Sequence, residues 1–219
     1  MVLKTANGGP EGPSRRGFLS GAAALAGLAV ATPRAFAQAS DRIEALLAQM
    51  TIEEKAGQLS CFADMIRPPI GDMNPLVNLR NAQTLTAEIQ AGRIGVLMNG
   101  VGAQAALETQ KAAVEGSRLK IPLLFAADVI HGFRTVFPIP LAEAASFDPR
   151  LAERTARAAA SEATASGLHW TFAPMVDVAR DQRWGRVAEG SGEDPYLGEV
   201  MAAARVRGFQ GKDLKADDS

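Results

Sequence analysis

A chain of 219 residues with 47% hydrophobic side chains is long enough to bury one sizeable core, which excludes a disordered chain. Its formal net charge of −1 supplies no global field to attract nucleic acid or an anionic membrane. Cys61 is the only cysteine, so no intrachain disulfide can form, and it reads as a small buried apolar residue.

The first distinctive stretch is SRRGFLSGAAALAGLAVATPRAFA, residues 14–37. Arg15 and Arg16 precede a Gly- and Ala-rich apolar run, and Ala35-Phe36-Ala37 follows as a small-x-small cleavage site. The uncharged run is shorter than the ~20 residues of a spanning helix. Residues 1–37 are therefore expected to be a twin-arginine-type export signal, cleaved after Ala37. The expected location is periplasmic or secreted, with no membrane anchor after cleavage. Residues 38–219 form the expected mature chain.

Helical spacing follows in DRIEALLAQM, with Ile43, Leu46, Leu47 and Met50 on one face. Thr51 and Glu54 make a capping-box pair that starts a short helix through IEEKAGQ. TLTAEIQAG predicts a helix stopped by Gly92, IGVLMNG a strand, AQAALETQKAAVEGS a helix and IPLLFAAD a strand. Asp148-Pro149 predicts the capped start of a long helix that Gly167 ends. HWTFAPM is the next expected strand. Asp194-Pro195 opens a last helix whose apolar face is Leu197, Val200, Met201 and Ala204.

This alternation predicts an α/β fold with a parallel sheet, and the nearly unbroken apolar strands fit a sheet covered on both faces. No strand is followed by a dinucleotide or triphosphate fingerprint, and no second His or Cys stands at zinc spacing to His131. No cofactor or metal is expected. Charged loops after two strands suit a (β/α)8 (TIM) barrel, whose sites lie at the C-terminal strand ends. Such a barrel needs roughly 250 residues, so the expectation is a partial barrel, about its first half.

Asp128 closes the strand IPLLFAAD, a position suited to contact with ligand hydroxyls or to an ion pair with Arg134. His131 reads as a loop histidine satisfied by its neighbours, with acid–base or ligand contact as the alternative; His169 reads as structural. The loop VARDQRWGRVAEGSGEDP lies on the same expected rim. Gly185 allows close backbone approach beside Arg186, whose fork of donors suits hydroxyls and carboxylates. Arg180, Asp181 and Arg183 can equally form a network that holds the loop. Arg183 and Glu193 read as mainly structural, Asp194 as a helix cap, and Trp184 as packing beneath the loop rather than stacking on a ligand.

Two stretches, DVIHGFRTVFPIPLAEAASFDP and VDVARDQRWGRVAEGSGEDPYLGEVMAAARVRGFQG, resemble the N-terminal barrel domain of family 3 glycoside hydrolases. The resemblance is strongest to the β-glucosidase branch. MTIEEKAGQL is similar to the family's N-terminal segment, and the resemblance runs from about Asp41 to Gly211. It implies a retaining hydrolase that releases glucose from the non-reducing end of a β-linked oligosaccharide or glycoside; a β-xylosidase of the same family is the near alternative. Asp128 and Arg186 would hold the sugar in the −1 subsite, with His131, Arg183, Trp184 and Glu193 as possible supports. The family's Lys-His pair, its aspartate nucleophile and its glutamate acid/base are all absent from these 219 residues. No catalytic carboxylate is therefore expected here. The chain is expected to need the rest of its own domain and to be at most a weak sugar binder alone.

Overall fold

The computed structural model describes residues 33–64, 66 and 82–214. The stretch expected to be an export signal lies, up to residue 32, outside the described residues. By its contacts the chain divides into two units, residues 1–49 and 50–219. The described part of the first is helix α1, Pro33–Gln49, which contains the helix expected from Asp41.

The second unit begins with α2, Ile52–Gln58. Its capping box forms as expected: the Glu54 amide donates to Thr51 Oγ1 at 3.2 Å, and the Thr51 amide donates to Glu54 Oε2 at 2.9 Å. Glu54 is also buried, and takes a two-pronged hydrogen bond from the Arg118 guanidinium, at 3.0 Å from Nε and 2.5 Å from Nη2.

The remaining elements alternate. They are β1 (Cys61–Ala63), α3 (Ala82–Gln90), β2 (Val96–Met98), α4 (Ala103–Gly116), β3 (Leu124–Ala127), α5 (Pro140–Ala144), α6 (Pro149–Ala165), β4 (Trp170–Thr171) and α7 (Pro195–Gln210). A single 3-10 turn, Val187–Glu189, interrupts the loop before α7. The sheet order is β1-β2-β3-β4 and every pair is parallel. Strands laid down in sequence order without reversal wind in one sense only. That is the order of a (β/α)8 barrel, and four strands are half of one; a doubly wound sheet would reverse at a switch point.

The register separates two faces. Phe62, Leu97 and Phe125 are partners across β1, β2 and β3 and lie in the main core with Leu85 and Ile89 of α3. Cys61, Val96 and Leu124 are partners on the other face. Cys61 is exposed there, which corrects its reading as a buried residue. It alternates away from the face that the helices cover.

α6 and α7 pack closely because α6 presents alanines and α7 presents Ala204 and Gly208, with Met201 filling the space beside them. Ala152, Ala156, Ala159 and Ala163 are buried on α6, and Met201, Ala204 and Gly208 on α7. Asp148 and Asp194 cap these helices as expected, accepting from the Arg150 and Leu197 amides at 3.0 and 2.8 Å. Gly167 ends α6 with a φ of 84°.

Candidate functional site

Strand ends deliver acidic groups to one rim. Asp128 directly follows β3 and is half-buried. Asp64 directly follows β1 and is buried; its amide donates to Met98 O at 2.8 Å and its Oδ1 accepts from the Ile66 amide at 2.8 Å. Asp177 lies beyond β4 and is exposed. The sequence reading singled out Asp128 alone of these three. The signal that marked it, an acid closing an apolar run, also marks SCFAD and TFAPMVD.

The loop after β3 folds back on itself. The Phe137 amide donates to His131 O at 2.8 Å, and His131 Nδ1 donates to Phe137 O at 2.9 Å. His131 thus satisfies its own turn, as its sequence context suggested. Gly132 has a φ of 103°, and a side chain there would run into the Thr135 carbonyl. Glu162, on α6, holds the loop from beneath. Its Oε2 accepts from the Arg134 and Thr135 amides at 2.8 Å each, and its Oε1 from Thr135 Oγ1 at 2.6 Å. The Thr135 hydroxyl, then the backbone amides, keep the Glu162 carboxyl below its ordinary pKa, and the Arg134 charge adds to the effect.

The loop after β4 is closed at its neck, where the Ala179 amide donates to Gly192 O at 3.0 Å. Inside, Arg183 forks onto Asp181, with Nη2 2.6 Å from Oδ2. The Trp184 amide donates to Asp181 O at 3.0 Å, which tightens that turn. Trp184 is 37% exposed, more open than packing beneath the loop suggested. Arg183 is engaged with Asp181 two residues before it, and its side chain is 90% exposed. Glu193 is exposed at the end of the loop, beside the capping Asp194.

Arg186 is turned differently. Its Nε lies 3.1 Å from Glu189 Oε1 and its Nη2 2.7 Å from Glu189 Oε2. Glu189 is the main influence raising the Arg186 pKa, and the negative charges of Asp128 and Asp177 raise it further. Asp128 and Arg186, 58 positions apart by their numbers 128 and 186, therefore share one electrostatic neighbourhood.

A buried ion pair braces this region. Arg205 on α7 and Glu143 on α5 are 4% and 8% exposed, with Nη2 2.8 Å from Oε2. Arg205 also donates to Pro140 O at 3.1 Å and to Ser191 Oγ at 3.3 Å, and Thr155 donates to Glu143. One guanidinium thus ties the end of the Asp128 connection to the neck of the Arg186 loop. Sequence reading missed both partners, since each sits in a helical stretch that otherwise reads as solvated charge.

Among the described residues, no group of three or more His, Cys, Asp or Glu side chains is placed to hold a metal ion. No described helix is long and apolar enough to cross a membrane.

A periplasmic β-glucosidase of Salmonella typhimurium is 44% identical to this chain over 167 residues, which cover 76% of the chain and 20% of that protein. The Dickeya chrysanthemi periplasmic β-glucosidase/β-xylosidase is 28% identical over 187 residues, 78% of the chain and 29% of that protein. A crystal structure of a β-glucosidase from Listeria innocua in complex with isofagomine matches at a TM-score of 0.67 and 40% identity, over 78% of the chain and 23% of its own. The chain spans less than a third of the length of each of these relatives. Residues 51–217 match the glycosyl hydrolase family 3 N terminal domain, and the chain belongs to that family.

Proposed function

We propose that this half-barrel supplies part of the sugar-binding rim of an exported, retaining β-glucosidase. Asp128 accepts hydrogen bonds from the hydroxyls of a non-reducing-end glucosyl unit, and Arg186 donates to them. Hydrogen bonds to charged groups contribute about 1.5–3 kcal/mol each, so two such residues hold a neutral pyranose firmly. The observation that carries this reading is topological: Asp128 directly follows β3, and the loop that holds Arg186 follows the adjacent parallel strand β4, with the Asp128 charge a smaller influence on Arg186 than Glu189. Asp177, whose charge also acts on Arg186, lies in the same neighbourhood.

The work of these residues is to bind and orient. Retention requires a nucleophile and an acid/base whose carboxyl groups stand about 5–5.5 Å apart across the glycosidic bond. In this reading neither comes from these 219 residues. Asp128 and Arg186 fix the ring so that its anomeric carbon faces those groups.

The Dickeya relative named for both activities supports β-xyloside as a second substrate class. The test is to assay the gene product that carries this chain on aryl β-glucoside, β-xyloside and β-N-acetylglucosaminide. The expected order is glucoside first and xyloside second. No hydrolysis of any of the three leaves a sugar-binding remnant and removes the enzyme reading. Export through the twin-arginine-type leader is part of the same proposal, supported by the periplasmic names of two relatives. N-terminal sequencing of the mature protein is expected to begin at Gln38; a start at Met1 or Val2 overturns it.

A further inference from the structure

Arg186 lies on an exposed loop, and 53% of its side chain is open to solvent. A long guanidinium in that setting samples many rotamers, and a ligand that orders it loses affinity. Here the side chain is already held. Glu189, three residues on, takes the Nε–Nη2 edge through three contacts of 3.1, 3.2 and 2.7 Å. The main chain closes the same ring, since the Glu189 amide donates to Arg186 O at 3.0 Å. All three bonds leave from Nε and Nη2, so the Nη1 side of the fork meets no hydrogen-bond partner among the described residues.

We propose that Glu189 is the positioning residue of Arg186, fixing its guanidinium in the orientation that receives the saccharide. The inference rests on the reading of Arg186 as a sugar-binding residue. An exposed ion pair three residues apart adds little to folding stability. The benefit of this one is therefore orientation: it orders Arg186 before the sugar arrives, so binding does not have to. Glu189 acts through Arg186 and needs no contact with the substrate.

The test is a double-mutant cycle in the gene product that carries this chain, read as kcat/KM on an aryl β-glucoside, with thermal melting alongside. The four proteins are the wild type, Glu189→Ala, Arg186→Ala and the double variant. Glu189→Ala is expected to lower kcat/KM about tenfold, the loss from ordering one free side chain on binding, with the melting temperature nearly unchanged. In the Arg186→Ala background the same change is expected to do nothing more. Glu189→Gln keeps the shape and one acceptor, and is expected to fall between wild type and Glu189→Ala; its own cycle replaces the first if the alanine variant does not fold. Wild-type kcat/KM in Glu189→Ala, or an equal loss in both backgrounds, overturns the positioning role while leaving the sugar-binding reading intact. Wild-type kcat/KM in Arg186→Ala removes that reading and this inference with it.

Discussion

The Arg205 guanidinium meets the Glu143 carboxylate in the protein interior, Nη2 to Oε2 at 2.8 Å, with each side chain less than a tenth exposed. Removing one partner strands the other. Arg205→Ala is expected to destabilise the fold by about 3–5 kcal/mol, the usual consequence of an uncompensated buried charge. Replacing both together, Arg205→Met with Glu143→Leu, is expected to recover part of that loss: no charge is left unpaired, while Pro140 O, Ser191 Oγ and Thr155 Oγ1 each lose a partner. Urea unfolding of the two variants measures the difference. A single variant as stable as the wild type removes the argument.

Asp128→Ala is expected to lower kcat/KM on β-glucosides by about ten- to a hundredfold, because one or more charge-assisted hydrogen bonds to the sugar disappear. Asp128→Asn keeps the shape but not the charge and is expected to lose less. Steady-state kinetics decide it, and an Asp128→Ala enzyme of undiminished efficiency ends the assignment.

The Glu162 carboxyl is held below the ordinary glutamate value of about 4.3 by the Thr135 hydroxyl and the backbone amides it accepts. Its hold on the 131–137 loop is therefore fully present above that value. It fades as pH falls through the lower, folded one. Hydrogen exchange at the Arg134 and Thr135 amides is expected to lose protection over that acidic window. In Glu162→Gln the same amides are expected to exchange about tenfold faster at neutral pH and to show no acid transition of their own. Equal protection in both proteins contradicts the clamp.

Gly208 sits where α7 crosses α6, and a Cβ there would lie 2.6 Å from that of Ala156. Gly208→Val is expected to push the helices apart and destabilise by about 1–3 kcal/mol or more. Thermal melting is the readout, and an unshifted transition contradicts the close packing.

How much of this was legible in the sequence depended on whether a feature is local. Thr51, Asp148 and Asp194 announce α2, α6 and α7 because a cap is satisfied within three residues of itself. Strand β1 was missed: Cys61–Ala63 is three residues long, and its pairing with β2 is decided 35 positions away, as Cys61 opposite Val96 shows. HWTFAPM promised a longer strand than the two residues of β4, because Pro174 has no amide to continue the ladder. Asp128 could be singled out because it closes an apolar run, and Arg186 because Gly185 stands beside it in a charged loop; their expected role with a sugar came from the family resemblance. Glu189 could not be assigned to Arg186, since a partner three residues on is reached only if the chain turns helically there, as it does at Val187–Glu189. The Arg205–Glu143 pair joins residues 62 apart and has no local signature.

The bonded neck between Ala179 and Gly192 has a wider consequence. The chain enters and leaves the intervening arc side by side, so the exposed turn at residues 181–184 stands apart from Ser191, which Arg205 holds, and from the sheet beneath. Variation confined to that turn leaves the scaffold below it unchanged.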